Sequence, residues 1–170
     1  AANGAAQVIA IEKDPARSES ARHFGATQVI DGSQTPQAIR NAIFSLTRQR
    51  GADAVWEFTG IPDVIEAGFH LLRFGGRYII AGAVFPARPI QFAADQLVRR
   101  LLRVSGVYNY NPEDLEFALA FLAANSTRFP FAALIGRTFL LSEAQQAFDF
   151  AESAKPPRVA ILPQRTPSHS

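Results

Sequence analysis

The stretch Val8-Ile9-Ala10-Ile11-Glu12-Lys13-Asp14-Pro15 decides how the chain is read. A short continuous apolar run with no polar face is what a parallel strand buried on both sides presents. The acid Glu12 falls where that strand ends. Asp14 then suits a helix N-cap. Pro15 suits the first helical position, where a missing N–H costs nothing.

Working outward, the same unit recurs. A helix runs to Phe24 and Gly25 closes it. Residues 28–30 read as a second strand and 31–35 as a polar loop. Pro36 opens a helix striped with Ile39, Ala42, Ile43 and Leu46. Residues 52–58 form a third strand carrying Trp56, the only tryptophan, and Thr59-Gly60 is the turn after it. Pro62 starts a helix with Ile65, Gly68, Phe69 and Leu72 on one face. Gly75-Gly76 predicts a turn, and residues 77–81 a fourth strand ended by Gly82. Residues 84–92, with Pro86 and Pro89, read as irregular.

Residues 96–100 predict a short helix and 101–107 a fifth strand. Asn111-Pro112-Glu113-Asp114 opens a helix, its acids suited to the first-turn dipole, with Leu115, Ala118, Leu119 and Leu122 as its stripe. Residues 135–140 predict a strand. Ser142-Glu143-Ala144-Gln145 fits a capping box for a helix to about residue 153. Residues 159–162 are the last strand. Phe117, Phe121, Phe129 and Phe131 default to core. Strands separated by helices at this spacing imply an α/β fold with a doubly wound parallel sheet.

Composition excludes several classes. Of 170 residues, 48% are hydrophobic and 19% charged, which is globular and not disordered. The net charge is only +2. Arg99-Arg100 is the longest basic stretch, so nucleic acid is not an expected partner. No apolar run approaches the roughly 18–20 residues of a membrane span, so a membrane is not expected either. The chain has no cysteine, hence no disulfide, no Cys-held metal and no Cys nucleophile. Methionine is also absent and the sequence opens Ala1-Ala2-Asn3. The expectation is therefore a piece of a longer protein, cytoplasmic because no secretory signal pattern is visible.

The chemically informative residue is Glu12. An acid ending a parallel strand accepts hydrogen bonds from adenosine ribose hydroxyls in dinucleotide-binding folds. The plain alternative is a solvated residue past a strand end. The usual companion, a Gly-x-Gly-x-x-Gly turn, is absent from the sequence. In such folds it precedes the acid by about 20 residues, which from Glu12 falls before Ala1. Residues 1–6 would then be the tail of the first helix. His23, His70 and His169 share no metal-site spacing, so no metal ligand is expected among them.

Taken in order, further segments carry a resemblance. They are Ala16-Arg17, Phe24-Gly25-Ala26-Thr27, Gly51-Ala52-Asp53, Glu57-Phe58-Thr59-Gly60, Leu72-Arg73-Phe74-Gly75-Gly76-Arg77 and Ile80-Ala81-Gly82. Val104-Ser105-Gly106, Arg137-Thr138-Phe139, Ala147-Phe148 and Arg158-Val159-Ala160 complete the set. With the opening stretch they make most of residues 7–163 similar to the cofactor-binding half of the medium-chain, zinc-type alcohol dehydrogenases. The resemblance implies a Rossmann-like sheet truncated at its N-terminus, lacking the first strand and glycine motif, followed by a C-terminal piece of the catalytic domain. Residues 1–110 would be the dinucleotide-binding part, 111–163 the return to the catalytic domain and 164–170 a tail.

The resemblance also implies roles. Glu12 matches the ribose-binding acid, which favours NAD over NADP because a carboxylate repels a 2′-phosphate. Lys13 beside it could tolerate that phosphate, and Arg17 matches a basic position reaching the same ribose. Thr59 and Gly60 match a turn near the adenosine. Ala81, Gly82 and Ala83, with Ser105 and Gly106, match backbone contacts to the nicotinamide carboxamide. Arg158 matches a basic position near the pyrophosphate, where a guanidinium fork suits two oxygens. Solvated charges and small-residue turns are the plain alternatives for these positions. Zinc, in the parent protein, would be liganded outside this chain, so the resemblance implies no catalytic residue here, and a small alcohol or carbonyl compound would be the substrate. A homodimer or higher homo-oligomer is the implied assembly.

The implied activity of the parent is NAD-dependent alcohol oxidation. A zinc-free, NADPH-using quinone or enoyl reductase of the same superfamily is one alternative, and a non-catalytic nucleotide-binding module another. A methyltransferase-like nucleoside site also uses an acid at a strand end. In strand order 3-2-1-4-5-6 the absent first strand is central. The remaining strands should therefore leave an open cleft, recruit a strand or shift to close the gap.

Overall fold

Strand pairing is parallel throughout, yet it does not run through one sheet. The computed structural model describes Ala2 and residues 4–163, so the tail at 164–170 lies outside the described residues. By contacts the chain divides into two units, Ala1–Leu115 and Glu116–Ser170.

The first unit begins with β1 (Ile9–Glu12), α1 (Pro15–His23) and β2 (Gln28–Asp31). Then come α2 (Pro36–Leu46), β3 (Ala52–Glu57), α3 (Pro62–Phe69), β4 (Leu72–Ile80), α4 (Ala94–Arg99) and β5 (Arg103–Gly106). Helix starts follow their capping chemistry. Asp14 accepts from the N–H groups of Ala16 (2.8 Å) and Arg17 (3.0 Å), and Thr35 accepts from Ala38 (3.2 Å). Pro15, Pro36 and Pro62 each occupy the first helical position.

Among the described residues β1 pairs only with β2, and β3 pairs with β4, which pairs with β5. β1 and β3 share a core without sharing a ladder. Ile9 and Ala52, at their starts, both pack against the cluster of Ile30, Ile43 and Leu71, beneath α2. On the other side of Val55 sits a second cluster of Ile65, Phe69, Leu72, Tyr78 and Leu102, closed by α3 and α4. Tyr78 is fully buried there, and its hydroxyl donates to Ile65 O at 2.8 Å. Thus, among the described residues, the parallel ladder is interrupted between β1 and β3. The opposite face of β3 is open, with Trp56 58% and Phe58 71% exposed and their rings stacked 6.1 Å apart.

Four expectations need correction. Gly75-Gly76 is not a turn before a strand but part of β4, whose register against β3 slips between Ala52 and Ala54. The extra residues bulge, and Gly75 absorbs the bend at φ 68°. The fifth strand starts at Arg103, because Leu101 takes a left-handed φ of 54° and turns the chain. Ser142 does not cap the following helix; it lies in a short 3-10 turn, Leu141–Glu143, whose start Glu143 secures by accepting from Leu140 N–H at 2.8 Å, and α6 itself begins without a side-chain cap. Residues 4–8 are not helical, since so short a piece cannot offset the cost of helix nucleation.

α5 (Pro112–Asn125) starts in the first unit and continues into the second. Its start is a reciprocal cap: Asp114 N–H donates to Asn111 Oδ1 (2.9 Å), and Asn111 N–H donates to Asp114 (3.2 Å). Its predicted stripe is not buried; Leu115, Leu119 and Leu122 are exposed, and Phe117 is 67% exposed. Helical spacing makes one face apolar but does not by itself supply a cover for it.

In the second unit β6 (Ile135–Leu140) pairs with β7 (Arg158–Leu162), and α6 (Ala144–Ala154) lies between them in sequence. Phe139 and Ala147 are its buried apolar side chains, with Phe129.

Candidate functional site

The ends of β3, β4 and β5 bring three of the predicted segments together. Parallel pairing sets Glu57 beside Ile80, and Ile79 and Ile80 beside Ser105 and Gly106. The chain leaving each strand therefore passes its neighbours. Glu57 O accepts from both Ala81 N–H (2.9 Å) and Gly82 N–H (3.0 Å), and Ile80 O accepts from Val107 N–H (3.0 Å).

The turns Thr59-Gly60 and Gly82-Ala83 touch backbone to backbone. Gly60 sits at φ 68°, and a Cβ there would lie 2.4 Å from Gly82 O and 3.3 Å from Ala83 Cα. A Cβ on Gly82 would lie 2.5 Å from Gly60 N. Glycine is required at both positions by this approach. Gly106 differs: its nearest neighbour in the side-chain direction is Ile80 O at 4.0 Å, so space beside the strand end is open.

Sequence reasoning gave Glu57 no role, yet it organises this region. It is 3% exposed. Its Oε1 accepts from Thr59 N–H (2.5 Å), the Thr59 hydroxyl (2.5 Å) and Gly60 N–H (3.0 Å). An acid two residues before Thr and three before Gly, at a strand end, was the signal for it. Asp14 stands in the same relation to Ala16 and Arg17.

The predicted ribose acid stands at the end of β1. Glu12 is half-buried, and its Oε1 accepts from Lys13 N–H (2.8 Å) and Asp14 N–H (2.9 Å). Its other oxygen accepts from no group among the described residues. Gly32 N–H donates to Glu12 O at 3.1 Å, and a Cβ on Gly32 would stand 3.3 Å from Glu12 C. Lys13 and Arg17 are exposed. Asp14 is held below the usual carboxylate range by the Arg17 and Ala16 N–H groups. Asp31, paired with Glu12 across the ladder, is likewise lowered, by the Ser33 hydroxyl and N–H. No described hydrogen bond joins this group to the glycine turns. Arg158 lies in the second unit, where it donates to Pro157 O at 2.7 Å.

A split parallel sheet, an acid ending one strand and glycine turns ending the next invite comparison with known proteins. Residues 1–124 match the family described as zinc-binding dehydrogenase. The chain belongs to that family. The 5-exo-hydroxycamphor dehydrogenase of Pseudomonas putida is 30% identical to it over 156 residues, covering 90% of this chain and 43% of that protein. The sorbitol dehydrogenase of Halalkalibacterium halodurans is 27% identical over 160 residues, covering 94% and 45%. An alcohol dehydrogenase from Thermotoga maritima superposes with TM-score 0.89 at 28% identity, covering 96% of this chain and 45% of its own. This zinc-binding dehydrogenase chain thus spans under half the length of the relatives it matches. Among its described residues no group of three or more His, Cys, Asp or Glu could hold a metal ion. The zinc of the family's description thus has no ligand set among the described residues.

Proposed function

We propose that this chain is the coenzyme-recognition portion of an NAD-dependent alcohol or polyol dehydrogenase. Family membership supports dehydrogenase chemistry. The observation that carries the coenzyme choice is the Glu12 carboxylate, fixed through Oε1 by two N–H groups and leaving Oε2 unused by described protein groups. A fixed carboxylate with a spare acceptor oxygen suits vicinal ribose hydroxyls and repels a 2′-phosphate. Bound NAD supplies the hydride acceptor for alcohol oxidation.

The chain's own residues bind and orient. Glu12 holds the ribose, with Arg17 and Lys13 beside it. The Thr59-Gly60 turn flanks the adenosine. Backbone groups of residues 81–83 and 105–106 hold the carboxamide, and the open space at Gly106 fits such an approach. Substrate would be a small alcohol or its carbonyl product.

Calorimetric titration of a longer polypeptide containing this chain tests the reading. NAD should bind at least tenfold more tightly than NADP. Preference for NADP, or binding of neither, would overturn it. This chain alone should bind NAD weakly, because it holds no Gly-x-Gly-x-x-Gly turn to receive the pyrophosphate.

A further inference from the structure

A cavity of about 330 Å³ opens at the start of β4, lined in part by Arg40, Arg50, Arg73, Arg100, His70 and Gln96. Leu72 pairs with Ala52 and Ile80 with Glu57, so despite its bulge β4 advances by five residues of β3, roughly 16 Å at about 3.3 Å per residue. The cavity is thus at the far end of β4 from the glycine turns.

Its charge is unbalanced. Arg50 and Arg73 share one carboxylate, Asp53, with Arg50 at 3.3 Å and Arg73 Nε closer. Arg100 is held by neutral acceptors only, Phe69 O at 3.2 Å and Leu72 O at 2.5 Å. Arg40 lies over the Phe44 ring, 4.5 Å from its centre, and meets no carboxylate among the described residues. Four guanidiniums therefore face one carboxylate. The partly buried Arg100 guanidinium is less basic than usual, through desolvation first and the charge of Arg40 second. Two like charges brought together out of bulk water destabilise the fold unless an anion joins them.

We propose that this cavity binds a small ligand through its phosphate groups, at a site separate from the coenzyme. Arg40 presents a planar donor fork, the geometry that matches phosphate oxygens, and Arg100, whose two Nη groups each give one N–H to a carbonyl, adds its remaining N–H groups and its charge. Arg100 is fixed in place by the Phe69 and Leu72 carbonyls, so little freedom is lost on binding. Gln96 adds a neutral amide. The volume sits at the small end of ligand pockets, roughly 300–1,000 Å³, which suits a phosphorylated small molecule and not a polymer.

Inorganic pyrophosphate is the probe, titrated calorimetrically into the 170-residue chain at low ionic strength. The expected result is saturable one-to-one binding, weakened tenfold or more by Arg40→Gln. Arg22→Gln, an equal loss of charge on α1, should leave it unchanged. A second variant, Gln96→Glu, places a carboxylate among the arginines. It should abolish pyrophosphate binding and raise the thermal midpoint of the free chain. Absence of saturable binding would overturn the proposal. So would equal weakening by Arg22→Gln and Arg40→Gln, which would make the effect one of diffuse charge, or a Gln96→Glu chain that binds as tightly as the original.

Discussion

Gly60 and Gly82 approach so closely across the ends of β3 and β4 that neither can carry a side chain. Added Cβ atoms would lie 2.4 Å from Gly82 O and 2.3 Å from Phe58 C, respectively. The obstacles are backbone atoms, which cannot swing aside. Gly82→Ala should therefore destabilise the chain by about 1–3 kcal/mol, as overpacking does. Gly60→Ala should cost more, because its φ of 68° adds backbone strain. Urea midpoints of the two variants check both the size and the order.

Glu57 ties the same turns from inside. Glu57→Ala leaves the Thr59 and Gly60 N–H groups without their acceptor, at a cost of about 2 kcal/mol or more. Glu57→Gln keeps one acceptor oxygen and should cost less. Chemical denaturation would rank the variants; equal losses would mean that the acceptor geometry is not what matters.

Carboxylate pairing sets the response to acid. Glu66 is lowered from its ordinary 4.5 by the Arg88 guanidinium and the Gln91 N–H. Asp53 is lowered from 3.8 by Arg73. A depressed folded-state value means the stabilisation is present above the ordinary value and is lost as pH falls through the folded one. Stability should decline as pH drops below about 4.5 and continue falling past 3.8. Arg88→Gln removes the Glu66 share of that decline, so its urea midpoint should fall less between pH 6 and pH 3 than that of the unmodified chain.

The buried Tyr78 hydroxyl makes one hydrogen bond, to Ile65 O. Tyr78→Phe should cost about 1 kcal/mol. Burial, and then the nearby Glu57 charge, push this hydroxyl above its ordinary value of 10.0. Ultraviolet titration should therefore show one tyrosine ionising above the ordinary value of 10.0, and Tyr78→Phe should remove that late step.

Much of this was legible in the residues. Val8 to Pro15 specified β1, its acid and the start of α1, because apolar runs, Asp caps and N1 prolines act locally. The bulge at Gly75 was not legible, because register is a property of two strands. The exposed stripe of α5 was not legible either, since burial needs a partner and not only a pattern. At the site, the glycines announced tight turns, but their mutual contact across 22 residues of sequence required coordinates. Glu57 stands at a strand end like Glu12, but its burial and its hold on the Thr59 turn depend on how β3 packs, which a single strand's sequence does not carry.

Glu12 carries the central claim. In a longer polypeptide containing this chain, Glu12→Gln keeps an acceptor for the Lys13 and Asp14 N–H groups but removes the charge and the spare acceptor oxygen. Calorimetry should show NAD affinity falling at least tenfold, the loss of about 1.4 kcal/mol or more expected for a charge-assisted hydrogen bond, with NADP affinity not reduced. An unchanged NAD dissociation constant would contradict the account.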